Sequence, residues 1–170
     1  MNGPLALYFA GDHRRLDALL KKAAAGGAAV DTAAYAAFRA GILRHIGMEE
    51  RVLLPAARRA RGGQSLPVAR LLRLDHGAIA SLLVPPPSPG IIQRVAAVLG
   101  PHNEAEERPD GLYAVCDELL ASEAEALLGT LRSFPDVPLA PHQDGPNVYR
   151  HIEETAELAR RGWADKGARA

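Results

Sequence analysis

The residues able to do chemistry in this chain come in two copies. His45-Ile46-Gly47-Met48-Glu49-Glu50-Arg51 and His102-Asn103-Glu104-Ala105-Glu106-Glu107-Arg108 share the pattern His-x-x-x-Glu-Glu-Arg. On a helix, residues four apart stand one above the other, so each copy offers an imidazole nitrogen and a carboxylate to one point in space. That is the outline of a transition-metal site.

Each copy follows a segment with a lone Asp-His. Asp12-His13 precedes Leu16, Leu19 and Leu20, and Asp75-His76 precedes Ile79, Leu82 and Leu83 at the same offsets. The chain therefore reads as a doubled helical hairpin, one half carrying His13, His45 and Glu49, the other His76, His102 and Glu106. Facing each other, the halves bring six metal ligands together. Two divalent ions would bring four positive charges against the two of Glu49 and Glu106, leaving room for an oxide, hydroxide or anionic ligand between them. Imidazole with carboxylate suits iron, and also zinc, manganese or cobalt.

Four helices must position these groups. Low aromatic content, abundant Ala and Leu and no sustained period-two alternation give an all-α fold. The first helix is expected from Tyr8 to the Gly26-Gly27 stop, and the second from an Asp31 cap to about Arg61. The third starts near Pro67 and ends before Pro85-Pro86-Pro87; the fourth starts at Ser88 or Pro89 and reaches toward Leu120. Short loops between long helices imply an up-down-up-down four-helix bundle. Steps of three and four put Phe38, Ile42, His45, Glu49 and Val52 on one stripe, and Val95, Leu99, His102, Glu106, Pro109, Tyr113 and Cys116 on another. All four histidines face the core, where an unpartnered carboxylate would cost several kcal/mol. Glu50, Glu107, Arg51 and Arg108 lie about 100° further round and read as surface or rim charges. On this register Glu49→Ala or Glu106→Ala expels metal, and Glu50→Ala changes metal content little.

At 170 residues the chain is long enough to bury a sizeable core. Lys+Arg and Asp+Glu balance at 20 each, so the basic footprint of nucleic-acid binding is missing. A single cysteine, Cys116, rules out an internal disulfide framework and a Cys-rich metal site, and reads as a buried inert thiol. Leu5 to Ala10 is too short and lacks the basic flank of a signal sequence, and no apolar run approaches membrane-spanning length. A soluble cytoplasmic protein without membrane contact is the expectation.

His13, His45 with Glu49, His76, and His102 with Glu106 resemble the hemerythrin-like, or HHE cation-binding, domain over about Tyr8 to Leu120. The resemblance implies a four-helix bundle holding two iron ions, oxo- or hydroxo-bridged, with zinc or manganese as substitutes. It implies that His13 and His45 bind one iron, His76 and His102 the other, and that Glu49 and Glu106 bridge. The expected function is binding or sensing of O2, a related diatomic such as NO, or iron itself. The alternative is an oxidoreductase acting on nitric oxide or peroxide, or an iron donor for iron–sulfur repair, although the Cys-rich extension of several repair proteins is missing. This chain has Ala80 where the oxygen-carrying hemerythrins have a second histidine, so one iron is a ligand short. Water, a chelating Glu or an outside residue would fill the gap. A homodimer is compatible with the sequence.

The small-molecule pocket is expected among Ile42, Met48, Leu72, Ala80 and Val98. Tyr8 and Tyr113 read as core packing, and Asp17 as a solvated charge. Pro109 either kinks the fourth helix or ends it at Arg108. The bundle is assigned residues 1–121 and a C-terminal helical extension packed on it residues 122–170. In that extension Ser122-Glu123-Ala124-Glu125 reads as a capping box, His142 as a surface loop histidine and Trp163 as packing or a partner contact.

Overall fold

A computed structural model describes residues 3–167, and every regular element among them is helical. In chain order these are α1 (Pro4–Ala24), α2 (Thr32–Met48), a π-helical turn (Glu49–Leu53), α3 (Leu54–Ala60), α4 (Ala69–Leu82), α5 (Pro89–Glu107), α6 (Leu112–Leu119), α7 (Ala124–Arg132) and α8 (Pro146–Gly167). The first two residues of the assigned bundle and the last three of the assigned extension lie outside the described range.

Local chemistry explains where these helices start. Asp31 accepts the Ala34 N–H at 2.9 Å and Ser88 accepts that of Ile91 at 3.2 Å, with Pro89 in the first turn of α5. Helix α1 starts at Pro4, earlier than the expected Tyr8. Its free Leu5 and Ala6 N–H groups donate to the Asp117 carboxylate at 2.8 and 3.1 Å, a cap supplied from α6 more than a hundred residues away. The capping box expected at Ser122 does not form, since no side chain caps the start of α7.

Two expected helices are interrupted next to the chemical residues. The second passes through the π turn, where the Leu54 N–H bonds the Glu49 carbonyl. Pro55 follows and has no N–H to give Arg51, so the regular bonding pattern cannot run through this turn. The fourth helix ends at Glu107 and restarts at Leu112, so Pro109 lies in a break. Gly111 makes that break tight: a Cβ there would lie 2.6 Å from the Glu106 carbonyl oxygen and 2.8 Å from that of Ala105. Without a side chain at Gly111, α6 folds back against α1.

The apolar core falls into two clusters. One joins Leu5, Phe9, Met48, Leu53, Leu72, Leu112 and Tyr113, and the other Leu16, Phe38, Ile42, Ile79, Val95 and Leu99. The four buried histidines belong to neither, and in sequence each falls between residues of the two, as His13 does between Phe9 and Leu16. Helix α1 packs on α2 and α5, and α4 on α5. Helix α7 adds Leu127, Leu128 and Leu131 to the first cluster, and the Arg44 guanidinium from α2 donates to the carbonyls of Leu131 and Phe134 at 3.1 and 3.0 Å. Helix α8 lies along α4 and puts Ile152 into the second cluster. Among the described residues no helix is long and apolar enough to cross a membrane.

Candidate metal centre

All six residues singled out by the sequence pattern meet inside the protein. His13, His45, Glu49, His76, His102 and Glu106 are all buried, the two glutamates completely. They fall into two overlapping groups, Glu49, His76, His102 and Glu106 in one and His13, His45 and Glu106 in the other, with ligand-type atoms within 4.8 Å of one another in each. Helix α1 presents His13, α2 with the π turn His45 and Glu49, α4 His76, and α5 His102 and Glu106.

The outer nitrogen of each of these four histidines meets a carboxylate. His13 Nδ1 lies 2.5 Å from Glu107, His45 Nδ1 2.9 Å from Asp12, His76 Nδ1 2.9 Å from Glu50 and His102 Nδ1 3.2 Å from Asp75. These links close a ring across α1, α2, α4 and α5, because each supporting carboxylate is the chain neighbour of a different member of the six. A carboxylate can only accept, so each Nδ1 carries the hydrogen and, in the neutral ring, each Nε2 turns a lone pair inward.

The inner surface is therefore almost all acceptor. His13 Nε2 and His45 Nε2 stand 3.0 Å apart, which needs a cation or a shared proton between them. Glu49 Oε2, His76 Nε2 and Glu106 Oε1 find no hydrogen-bond partner among the described residues. Each glutamate also divides its oxygens. Glu49 Oε1 is 3.5 Å from His45 and Oε2 3.1 Å from His76, while Glu106 Oε2 is 3.4 Å from His13 and Oε1 3.3 Å from His102. Orphaned buried acceptors of this number fit divalent metal, which would satisfy them together.

Proton affinities carry the same signature. Burial pulls the His45 imidazole down, but Glu49 and Asp12 outweigh it and hold the group up to about 10. His76 is likewise depressed by burial and carried to about 9 by Glu49 and Glu50. Burial opposes ionisation of Glu49, yet His45 and His76 keep its carboxyl well below the usual range. The cluster gathers positive charge, which is what a cation site does.

Comparison of the chain with protein-family models, curated proteins and solved structures finds no match in any of the three. What can be said of the site rests on its own geometry: a buried His/Glu cluster that could hold metal.

Several expectations are corrected. Glu50 and Glu107 do stand at the rim, 26% and 39% exposed, but each turns an oxygen inward to a histidine, while Arg51 and Arg108 stay exposed. Tyr113 is not simple packing. Its hydroxyl donates to Glu49 at 2.6 Å and lies 3.0 Å from Glu106, and burial with the charges of Glu106 and Glu49 pushes its ionisation well above the ordinary value. Asp12 and Asp75 had no assigned role although the repeated Asp-His marked them. Trp163, read as packing or a partner contact, lies against the first cluster, and its Nε1 donates to both Asp75 oxygens at 3.1 and 3.0 Å, which ties α8 to the His102 support.

The cavity reaching the centre is also elsewhere than expected. A space of about 280 Å³ touches His13 and is lined by Leu16, Leu20, Ile42, Leu99 and Asn103. Of the expected pocket only Ile42 lies on it; Met48 and Leu72 are fully buried in the first cluster. Asp17 sits at its mouth paired with Lys21 at 2.7 Å, and Tyr8 is directed at Met48 Sδ. His142 is exposed, with Nδ1 on the Val84 carbonyl at 3.3 Å, away from the centre, and Cys116 is buried and free, its thiol pushed up to about 12 chiefly by burial.

Proposed function

We propose that the protein is a non-haem di-iron protein of hemerythrin type that binds or senses O2, a related small molecule or iron itself. The supporting observation is the division of both glutamates, each with one oxygen toward the His13/His45 pair and the other toward the His76/His102 pair. Carboxylates arranged in this way serve two ions at once. On this reading His13, His45, Glu49, His76, His102 and Glu106 hold two irons within a bundle whose four up-down-up-down members are α1, α2 with α3, α4, and α5. Zinc or manganese suits the same donors. The described part of the assigned extension, residues 122–167, packs on it.

Bound iron with open positions supplies reversible binding of, or electron exchange with, a small molecule. The chain's own residues do the rest. The four carboxylates on the Nδ1 atoms hold each imidazole in the ligating tautomer and orientation. The apolar clusters on either side exclude bulk water, and the cavity beside His13 admits only a small ligand.

The deciding experiment is anaerobic loading with ferrous iron at known stoichiometry, exposure to air, and deoxygenation, followed by optical spectroscopy. Two irons per chain with visible bands that come and go support reversible binding. Bands that persist or decay to a ferric spectrum point to sensing or an oxidoreductase. No bands at two irons per chain would overturn the di-iron reading.

A further inference from the structure

The Tyr113 hydroxyl oxygen stands where four of the inward-facing donor atoms converge. It lies 3.2 Å from His13 Nε2, 3.4 Å from His45 Nε2, 2.6 Å from Glu49 Oε1 and 3.0 Å from Glu106 Oε2. A phenol has one hydrogen, and the shortest of these contacts takes it, so Glu49 is the acceptor. The other three contacts place oxygen against two imidazole lone pairs and a second carboxylate, which no hydrogen bond from the phenol satisfies.

The same distances are those of a coordination sphere. Ligands bound at about 2.1 Å and meeting at right angles stand about 3.0 Å apart. Around the four atoms the neighbouring separations are 3.0 Å from His13 to His45, 3.5 Å from His45 to Glu49 and 3.4 Å from Glu106 to His13. The phenol oxygen caps them at 2.6–3.4 Å, like the apex of a square pyramid. Its position is fixed by the fold: Tyr113 is fully buried, stacks on Phe9 at 4.9 Å between ring centres, and is aimed by the tight turn at Gly111.

We propose that Tyr113 is a protein ligand, through its phenolic oxygen, of the metal held by His13, His45, Glu49 and Glu106. This rests on the di-iron reading of the same site. It makes the two metal positions unlike. The His76/His102 side offers two imidazole nitrogens, Glu49 Oε2 and Glu106 Oε1, and the phenol makes no contact with those four atoms.

The test is resonance Raman spectroscopy of the full chain, loaded anaerobically with two ferrous ions and then oxidised by air. In that oxidation the two ferrous ions would give one electron each to dioxygen, which with two protons from solvent would leave as hydrogen peroxide, and the Tyr113 phenol would give its proton to solvent on taking up the ligand position. The expected result is a set of tyrosinate ring modes, enhanced in the visible band, that shift when the protein is made with ring-deuterated tyrosine. In Tyr113→Phe those modes vanish while the chain stays helical by circular dichroism and binds iron about tenfold or more weakly. Should the variant not fold, the isotope shift in the native chain decides alone, because Tyr8 is directed at Met48, Tyr35 belongs to the second cluster and Tyr149 is exposed. Two irons per chain with visible bands but no ring modes would overturn the ligand assignment and leave the di-iron reading standing. Failure to hold iron at all would overturn both.

Discussion

His76 shows how much of this centre depends on single atoms outside the six inner residues. Its Nδ1 is held by Glu50, which Arg73 steadies in turn at 2.8 Å. Glu50→Gln keeps the shape and removes the charge, so metal affinity is expected to fall about 10–100-fold in a competition titration, with Arg51→Ala close to native. Equal affinities for Glu50→Gln and the native chain would show that Glu50 is a solvated charge after all. The histidines also set a pH dependence. His45 and His76 have folded-state values raised from 6.5 to about 10 and about 9, so in the metal-stripped chain their stabilising contribution is complete below about 6.5 and lost as pH rises through 9 to 10. Glu49, lowered from 4.5, contributes above that value and loses its contribution on acidification. Metal must displace the protons on His45 and His76, so its binding is expected to release protons near neutral pH and to tighten as pH rises toward 9. A pH-stat titration with no proton release would contradict this.

At the scale of elements, the interruptions matter as much as the helices. Gly111→Ala puts a methyl group against the Glu106 and Ala105 carbonyls and is expected to push α6 outward, moving Tyr113 off the centre. The variant should lose about 1–3 kcal/mol in chemical denaturation and also weaken metal binding, whereas Gly77→Ala, where a Cβ meets nothing within 4 Å, should do neither. Much of the fold was legible in the sequence because its signals are local: Asp31 and Ser88 start helices by accepting N–H groups of their own first turns, Pro89 by its fixed backbone angle, and the stripe of His45 and Glu49 follows from helical period alone. The six inner residues were legible because they are repeated. What was not legible depends on partners distant in sequence. The start of α1 needs Asp117, the inward turn of Glu50 needs His76, and Tyr113 reaches the centre only because the chain breaks after Glu107; in an unbroken helix it would lie two turns beyond Glu106. The π turn at Glu49 had a local sign in Pro55, although proline alone does not say how the preceding turn accommodates it.

The whole molecule is built as two apolar layers with a buried, charged layer between, and the ring of histidine–carboxylate links runs round that middle layer. Half of the links join residues within one hairpin, Asp12 to His45 and Asp75 to His102; the other half cross between hairpins, Glu50 to His76 and Glu107 to His13. Such a pattern has the two-fold symmetry of a dimer, in which each copy lends one glutamate to the other's histidine. Covalent continuity between the halves, through the loop around Gly62 to Leu66, then supplies only a high effective concentration, in the millimolar range typical of short flexible linkers. The chain is in this sense an assembly of two pieces that happen to be spliced. Opened at that loop and produced together as residues 1–64 and 65–170, the pieces are expected to copurify and to regain the metal stoichiometry of the intact chain, and to part when metal is stripped at low pH.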